Sequence, residues 1–155
     1  MRRPKYLQDS WPTGTCYGCG PANGDGMQIK SRWSDDGESV VAEYMADARY
    51  NSGTPGIMYG GTVAGLIDCH SIWTAIAFAY HAENREVGSE PPIMYVTGKL
   101  SVAYLKPTPL GETLYLKAWV EGSVGKKTTV QCELGPEGVT TATGVVTAVR
   151  INLML

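Results

Sequence analysis

The sequence predicts an α+β fold in which an antiparallel sheet curves around one long helix, and three observations carry that expectation. Residues 62–80 form the most apolar stretch of the chain, apolar on nearly every helical face, so a helix there must be covered on more than one side. Six shorter stretches have strand composition, most of them alternating apolar with polar residues. The segments joining the last of these are short and rich in glycine and proline, as connections between antiparallel neighbours are.

Residues 1–26 are rich in Pro, Gly, Asn and Asp and predict an irregular N-terminal cover. Residues 27–33 and 39–44 alternate and predict two antiparallel strands, with a hairpin turn at Asp35, Asp36 and Gly37. A loop over 48–59, broken by Gly53, Pro55 and Gly56, leads to the helix, expected over 61–81 behind the pair Gly60 and Gly61. The polar segment 82–92 reads as a mobile connection. Residues 93–104 have strand composition and close at a turn rich in proline over 106–111. Residues 113–121, 127–134 and 139–153 predict three meandering strands, separated by glycine-bearing turns at 122–125 and 135–138. No internal repeat interrupts this order.

A length of 155 residues fits a single domain, 1–155, able to bury a core without disulfides or metal. Charged residues make up only 18% of the chain beside 43% hydrophobic ones, which predicts that part of the surface is hidden in an oligomer. A net charge of −2 gives no footprint for nucleic acid. The stretch 62–80 carries Asp68, His70 and Ser71 and lacks flanking charge anchors, so it reads as a buried helix and no membrane attachment is expected. The first six residues hold positive charge with no apolar run behind it, so a cytoplasmic protein is expected. Cys16, Cys19, Cys69 and Cys132 are too scattered for a disulfide framework and read as reduced thiols.

Asp68 is the residue that fits this pattern least well. Its carboxylate lies about two turns into an apolar helix, on the side of Ala64, Gly65 and Ile72, and must be hydrogen-bonded, paired or held at a shifted pKa. It is either a satisfied structural aspartate or a functional acid. Gly60 and Gly61 clear the helix start, where unpaired amides and the positive dipole end can hold an oxyanion; they would equally serve a tight turn against the sheet. His70 points away from Asp68 and reads as packed or interfacial. Cys16-Tyr17-Gly18-Cys19-Gly20 has the form of half a zinc knuckle, but two further ligands are not evident and no metal is expected. Cys69 lacks an adjacent base and reads as small core filling. No nucleophile elbow, P-loop or dinucleotide fingerprint occurs.

Three segments together resemble the phenylacetate-pathway (PaaI-like) branch of hotdog-fold acyl-CoA thioesterases: Cys-Tyr-Gly-Cys-Gly-Pro-Ala-Asn-Gly-Asp-Gly-Met ending at Met27, Pro-Gly-Ile-Met-Tyr-Gly-Gly-Thr-Val-Ala-Gly-Leu-Ile-Asp ending at Asp68, and Tyr-Leu-Lys-Pro-Thr-Pro-Leu-Gly-Glu ending at Glu112. The family signature is His-Gly-Gly with an acid nine residues after the histidine; the spacing from Tyr59 to Asp68 is the same, with tyrosine in place of histidine.

The resemblance implies a hotdog fold, a homodimer that can pair into a homotetramer, and active sites at the dimer interface. It further implies hydrolysis of an acyl-CoA or acyl carrier protein thioester, with coenzyme A as part of the substrate and no separate cofactor. The amide of Gly61 would polarise the thioester carbonyl, Asp68 of the other subunit would act as general base or nucleophile, and Thr97, ten residues before Pro107, would place the water or the acid. Tyr59 and Gly60 flank the oxyanion position, and Asn51 is the polar loop side chain expected to line the site. Lys126 and Lys127 would meet coenzyme A phosphates or form a solvated hairpin tip. Trp73, Phe78, Met94 and Tyr95 would shape an acyl pocket or belong to the core. A non-hydrolytic hotdog enzyme, such as a dehydratase or a tailoring enzyme, and an acyl-CoA binding module are the alternatives.

Overall fold

The computed structural model describes residues 5–152; the first four residues of the expected N-terminal cover and the last residue of the strand expected over 139–153 lie outside them. Strands β1 (Ser31–Trp33) and β2 (Val40–Met45) precede helix α1 (Gly60–Ala82), and β3 (Met94–Tyr104), β4 (Thr113–Glu121), β5 (Lys127–Gly135) and β6 (Ala142–Ile151) follow it. All six strands join one antiparallel sheet in the order β1-β2-β4-β5-β6-β3. The expected α+β class and hotdog arrangement are therefore present, with the helix packed on β3, β4, β5 and β6.

Alternation in the strands supplies the surface that covers the helix. Leu114, Leu116 and Ala118 of β4, Val130, Cys132 and Leu134 of β5, and Ala142, Val146 and Ala148 of β6 are all buried. They share the core with Val63, Leu66 and Ile67 of α1, where trimming a leucine or isoleucine to alanine costs about 2–5 kcal/mol. Gly144 permits β6 to approach the helix closely, because a Cβ there would stand 2.4 Å from Cγ2 of Ile67. By length and composition α1 would pass for a membrane span, yet most of it is buried against this sheet.

The two ends of α1 are built differently. At its start Tyr59 makes no side-chain cap. At its end Asn84 takes the left-handed conformation, at φ 53, while the amide of Asn84 reaches the carbonyl of His81 (3.0 Å) and that of Arg85 reaches Tyr80 (2.9 Å). That is a Schellman closure, which satisfies the last carbonyls.

Three expectations need correction. The strand expected over 27–33 is confined to Ser31–Trp33: Gln28 has φ 54, and the amides of Met27 and Ile29 bond to the carbonyls of Tyr17 (2.7 Å) and Gly18 (3.1 Å), so these residues pair with the N-terminal segment and not with the sheet. The last strand starts at Ala142 because Val139 and Thr141 close a turn onto Pro136 and Leu134. The segment 82–92 is pinned. Arg85 stacks on the Tyr80 ring and donates to the carbonyls of Ser89 and Pro91, and the Tyr80 hydroxyl accepts from the amide of Ile93 at 3.1 Å.

Candidate active site

Asp68 faces the edge of the sheet. Thr97 on β3 donates its hydroxyl to Oδ1 of Asp68 at 2.5 Å, and no other side-chain or backbone partner meets this carboxylate among the described residues. The threonine is aimed by an irregularity in the ladder, since the register of β3 against β6 shifts between Thr97 and Lys99. Because β3 is the outer strand, residues 96–101 are exposed, and the Asp68 pair opens toward that edge. Burial pushes the Asp68 carboxyl above its ordinary value, the Thr97 hydroxyl pulls it back, and the charge of Cys16 adds a smaller upward push.

The second element is the start of α1. The amides of Gly60 and Gly61 find no acceptor among the described residues, whereas those of Thr62 and Val63 bond to the carbonyl of Tyr59. The Tyr59 ring is exposed and lies over Gly61, where a Cβ would meet its Cε1 at 2.5 Å, so the tyrosine narrows the approach to this amide. Tyr104, at the end of β3, donates its hydroxyl to the Gly60 carbonyl at 2.6 Å and holds the turn from the opposite side. That hydroxyl was not anticipated from the sequence, although Tyr104 opens a motif that carries the family resemblance. A cleft of about 320 Å³ runs from this end of the helix between Ile57, Met58, Val63, Tyr104 and Pro107. A larger one, about 480 Å³, lies between Trp33, His81 and Arg85 and includes none of the residues named for the site.

Gly61 and Asp68 are seven residues apart on one helix, which at a rise of about 1.5 Å per residue separates them by about 10 Å. An oxyanion donor must reach the carbonyl oxygen within about 3 Å, whereas a base acting through water must reach the attacking water.

The other expected residues are placed as follows. Asn51 spends its side chain on its own loop, donating to the carbonyl of Ala48 and accepting from the amide of Gly53. Lys126 and Lys127 lie at the β4–β5 hairpin, whose Gly125 carbonyl accepts the buried Tyr95 hydroxyl at 2.7 Å, two residues before Thr97. Trp73 is buried and donates its indole N–H to the sulfur of Cys19, while Phe78 packs on Trp33. His70 is fully buried. Its Nε2 meets the carbonyl of Val40 at 3.0 Å, so that nitrogen carries the proton, and its Nδ1 accepts from the Ser31 hydroxyl at 2.8 Å. Ser31 in turn accepts from the Gln8 amide at 2.9 Å.

Cys69 is not isolated core filling. Its sulfur sits 3.7 Å from that of Cys16, and the sulfurs of Cys16, Cys19 and Cys69 all lie within 4.8 Å of one another. The thiol of Cys16 is lowered to about 5, first by its hydrogen bond with Cys69 and then by the amides of Cys19 and Gly18, and the same contact pushes Cys69 up. The signal was half visible in the sequence as Cys16 and Cys19. The third sulfur, fifty residues after Cys19, needed the fold.

The fold and its parts have known counterparts. The profile of the thioesterase superfamily matches residues 55–143, from the loop before α1 into β6. A thioesterase superfamily protein from Shewanella loihica PV-4 is 30% identical over 94% of this chain and 99% of its own, with a TM-score of 0.67. The Escherichia coli PaaI protein of the phenylacetic acid degradation operon superposes with a TM-score of 0.64 at 17% identity, over 81% of each chain. A Streptococcus mutans UA159 protein bound to acetyl-CoA does so with a TM-score of 0.62 at 17% identity, over 80% of this chain and 89% of its own. At such identities the last two speak to fold alone. No curated protein matches the chain. A profile match over more than half of the sequence, and likeness to the Shewanella protein along nearly all of both chains, establish that the chain belongs to the thioesterase superfamily.

Proposed function

We propose that the protein is a cytoplasmic thioesterase that hydrolyses an acyl-CoA at a site shared by two copies of the chain. The observation that carries this reading is the Asp68 carboxylate, held on one oxygen by Thr97 and, among the described residues, left free on the other, on the same helix as the Gly61 amide, which finds no acceptor among them. Asp68 takes a proton from water as the water oxygen attacks the thioester carbon. The tetrahedral oxyanion is held by the Gly61 amide at the positive end of the helix, and collapse expels the coenzyme A thiolate. Losing such a donor costs about 3 kcal/mol of barrier.

The separation of Gly61 from Asp68 along the helix motivates the second subunit, and the exposed outer strand β3, with Val96 and Leu100 in the open, offers the pairing edge. Coenzyme A is preferred to a carrier protein because a protein of the same fold binds acetyl-CoA. The cleft between Met58, Val63 and Tyr104 is the place for the acyl or pantetheine arm, and Lys126 and Lys127 are candidates for the phosphates. A dehydratase would need a histidine at the site; His70 has both ring nitrogens engaged inside the core and His81 stacks near Trp33. The test is thiol release from a panel of short, long and aromatic acyl-CoAs. Release from at least one member is expected, and saturable binding of the panel without thiol release would assign the chain to acyl-CoA binding instead.

A further inference from the structure

The geometry points to a binding site for a thiophilic divalent metal ion, zinc by class, formed by Cys16 and Cys19 of the N-terminal segment and Cys69 of α1. Two thiolates on a tetrahedral zinc ion, each at about 2.3 Å, stand about 3.8 Å apart. The sulfurs of Cys16 and Cys69 are 3.7 Å apart and all three fall within 4.8 Å, a spacing suited to sharing one ion and well beyond a disulfide bond. All three are free thiols, and the hydrolysis proposed above uses none of them.

The loop is shaped around these sulfurs. The amide of Gly20 closes onto the carbonyl of Cys16 at 2.8 Å. A side chain at Gly18 would strike the Cys69 sulfur at 2.2 Å, and one at Gly20 would strike the Cys16 amide nitrogen at 2.4 Å. The indole N–H of buried Trp73 donates to Cys19 at 3.3 Å, the outer support that orients a metal ligand. Cys16 is exposed, which gives an ion access and leaves the fourth tetrahedral position to water or an exogenous ligand. Asp68 stays with Thr97, so a bound ion would fasten the N-terminal segment to α1 beside the carboxylate without consuming it.

The test uses the full chain, reduced and stripped with a chelator, then titrated with cobalt(II) and zinc(II). The expected result is thiolate-to-cobalt charge-transfer and tetrahedral ligand-field bands that saturate at one equivalent per chain, bleach on adding zinc, and accompany a rise in Tm. Cys16→Ser and Cys69→Ser should each abolish the bands, while Cys132→Ser, at a buried cysteine outside the cluster, should keep them. Bands that survive both Cys16→Ser and Cys69→Ser, or no saturable band at all, would overturn the site. So would peroxide-driven formation of a Cys16–Cys69 disulfide in a protein that retains no cobalt, which would make the cluster a redox pair.

Discussion

Asp68 and His70 stand two residues apart on α1, and the fold treats them in opposite ways. His70 points into the core, where the Val40 carbonyl and the Ser31 hydroxyl, itself held by Gln8, engage both of its nitrogens, and burial depresses its pKa to about 4 so that it remains neutral. Asp68 points to the outer strand, where Thr97 occupies one oxygen and nothing else among the described residues meets the carboxylate. One side chain has every valence matched by its own chain; the other keeps one in reserve at an open edge. In a helix that is apolar nearly all round, the count of satisfied valences separates a structural polar group from an available one.

Replacing Asp68 by Asn should break the available member of the pair with the largest effect. Turnover on a cleaved acyl-CoA should fall about 10³-fold, within the range for loss of a general base. Folding should survive, since an amide oxygen can still accept from Thr97. The Asp68 pKa is raised in the folded state, so ionising it opposes folding at neutral pH, and the variant should melt at the same temperature or above. Thiol-release kinetics beside a thermal melt checks both halves.

His70→Phe should do the reverse. Losing the His70 bonds to the Ser31 hydroxyl and the Val40 carbonyl inside the core should cost about 3 kcal/mol of stability, read from urea midpoints, while activity per folded molecule changes little. The wild type should also lose stability as pH falls from about 6.5 toward 4, because the unfolded histidine takes up a proton that the folded one refuses. The Phe variant should lack that slope.

Thr97→Val should have the smallest effect, lowering kcat/KM about tenfold through loss of one positioning hydrogen bond. It removes the bond that holds the Asp68 pKa down, so the acid limb of the pH–rate profile, measured on chelator-treated protein, should move to higher pH. An unmoved limb would detach Thr97 from the ionisation of Asp68.

Much of this architecture is legible in the sequence, for local reasons. The apolar run and its glycine pair locate α1 to within a residue at each end, and alternation gives β4 its observed bounds. Alternation misleads at 27–30, where the left-handed Gln28 answers to carbonyls of Tyr17 and Gly18 that no local pattern reveals. Segment 82–92 reads as loose because its polar composition conceals Arg85, which acts only once the chain doubles back on Tyr80 and Pro91. Within the site, Asp68 stands out by its energetic awkwardness, whereas Thr97 reads as an ordinary strand residue and came only from the family resemblance. The partnership of Cys69 with Cys16 and Cys19 is a tertiary fact.

The central claim is that Asp68 of one subunit works with Gly61 of another. Gly61→Pro deletes the amide donor in the first turn of α1, where no intrahelical bond is lost, and displaces the exposed Tyr59 ring that a Cβ there would meet. Differently tagged Asp68→Asn and Gly61→Pro chains, each inactive alone, can be co-expressed and purified through both tags. A shared site predicts that the mixed assembly regains about half of wild-type thiol release, since one of its two sites then has both groups intact. A mixed assembly as inactive as its parents would contradict the claim.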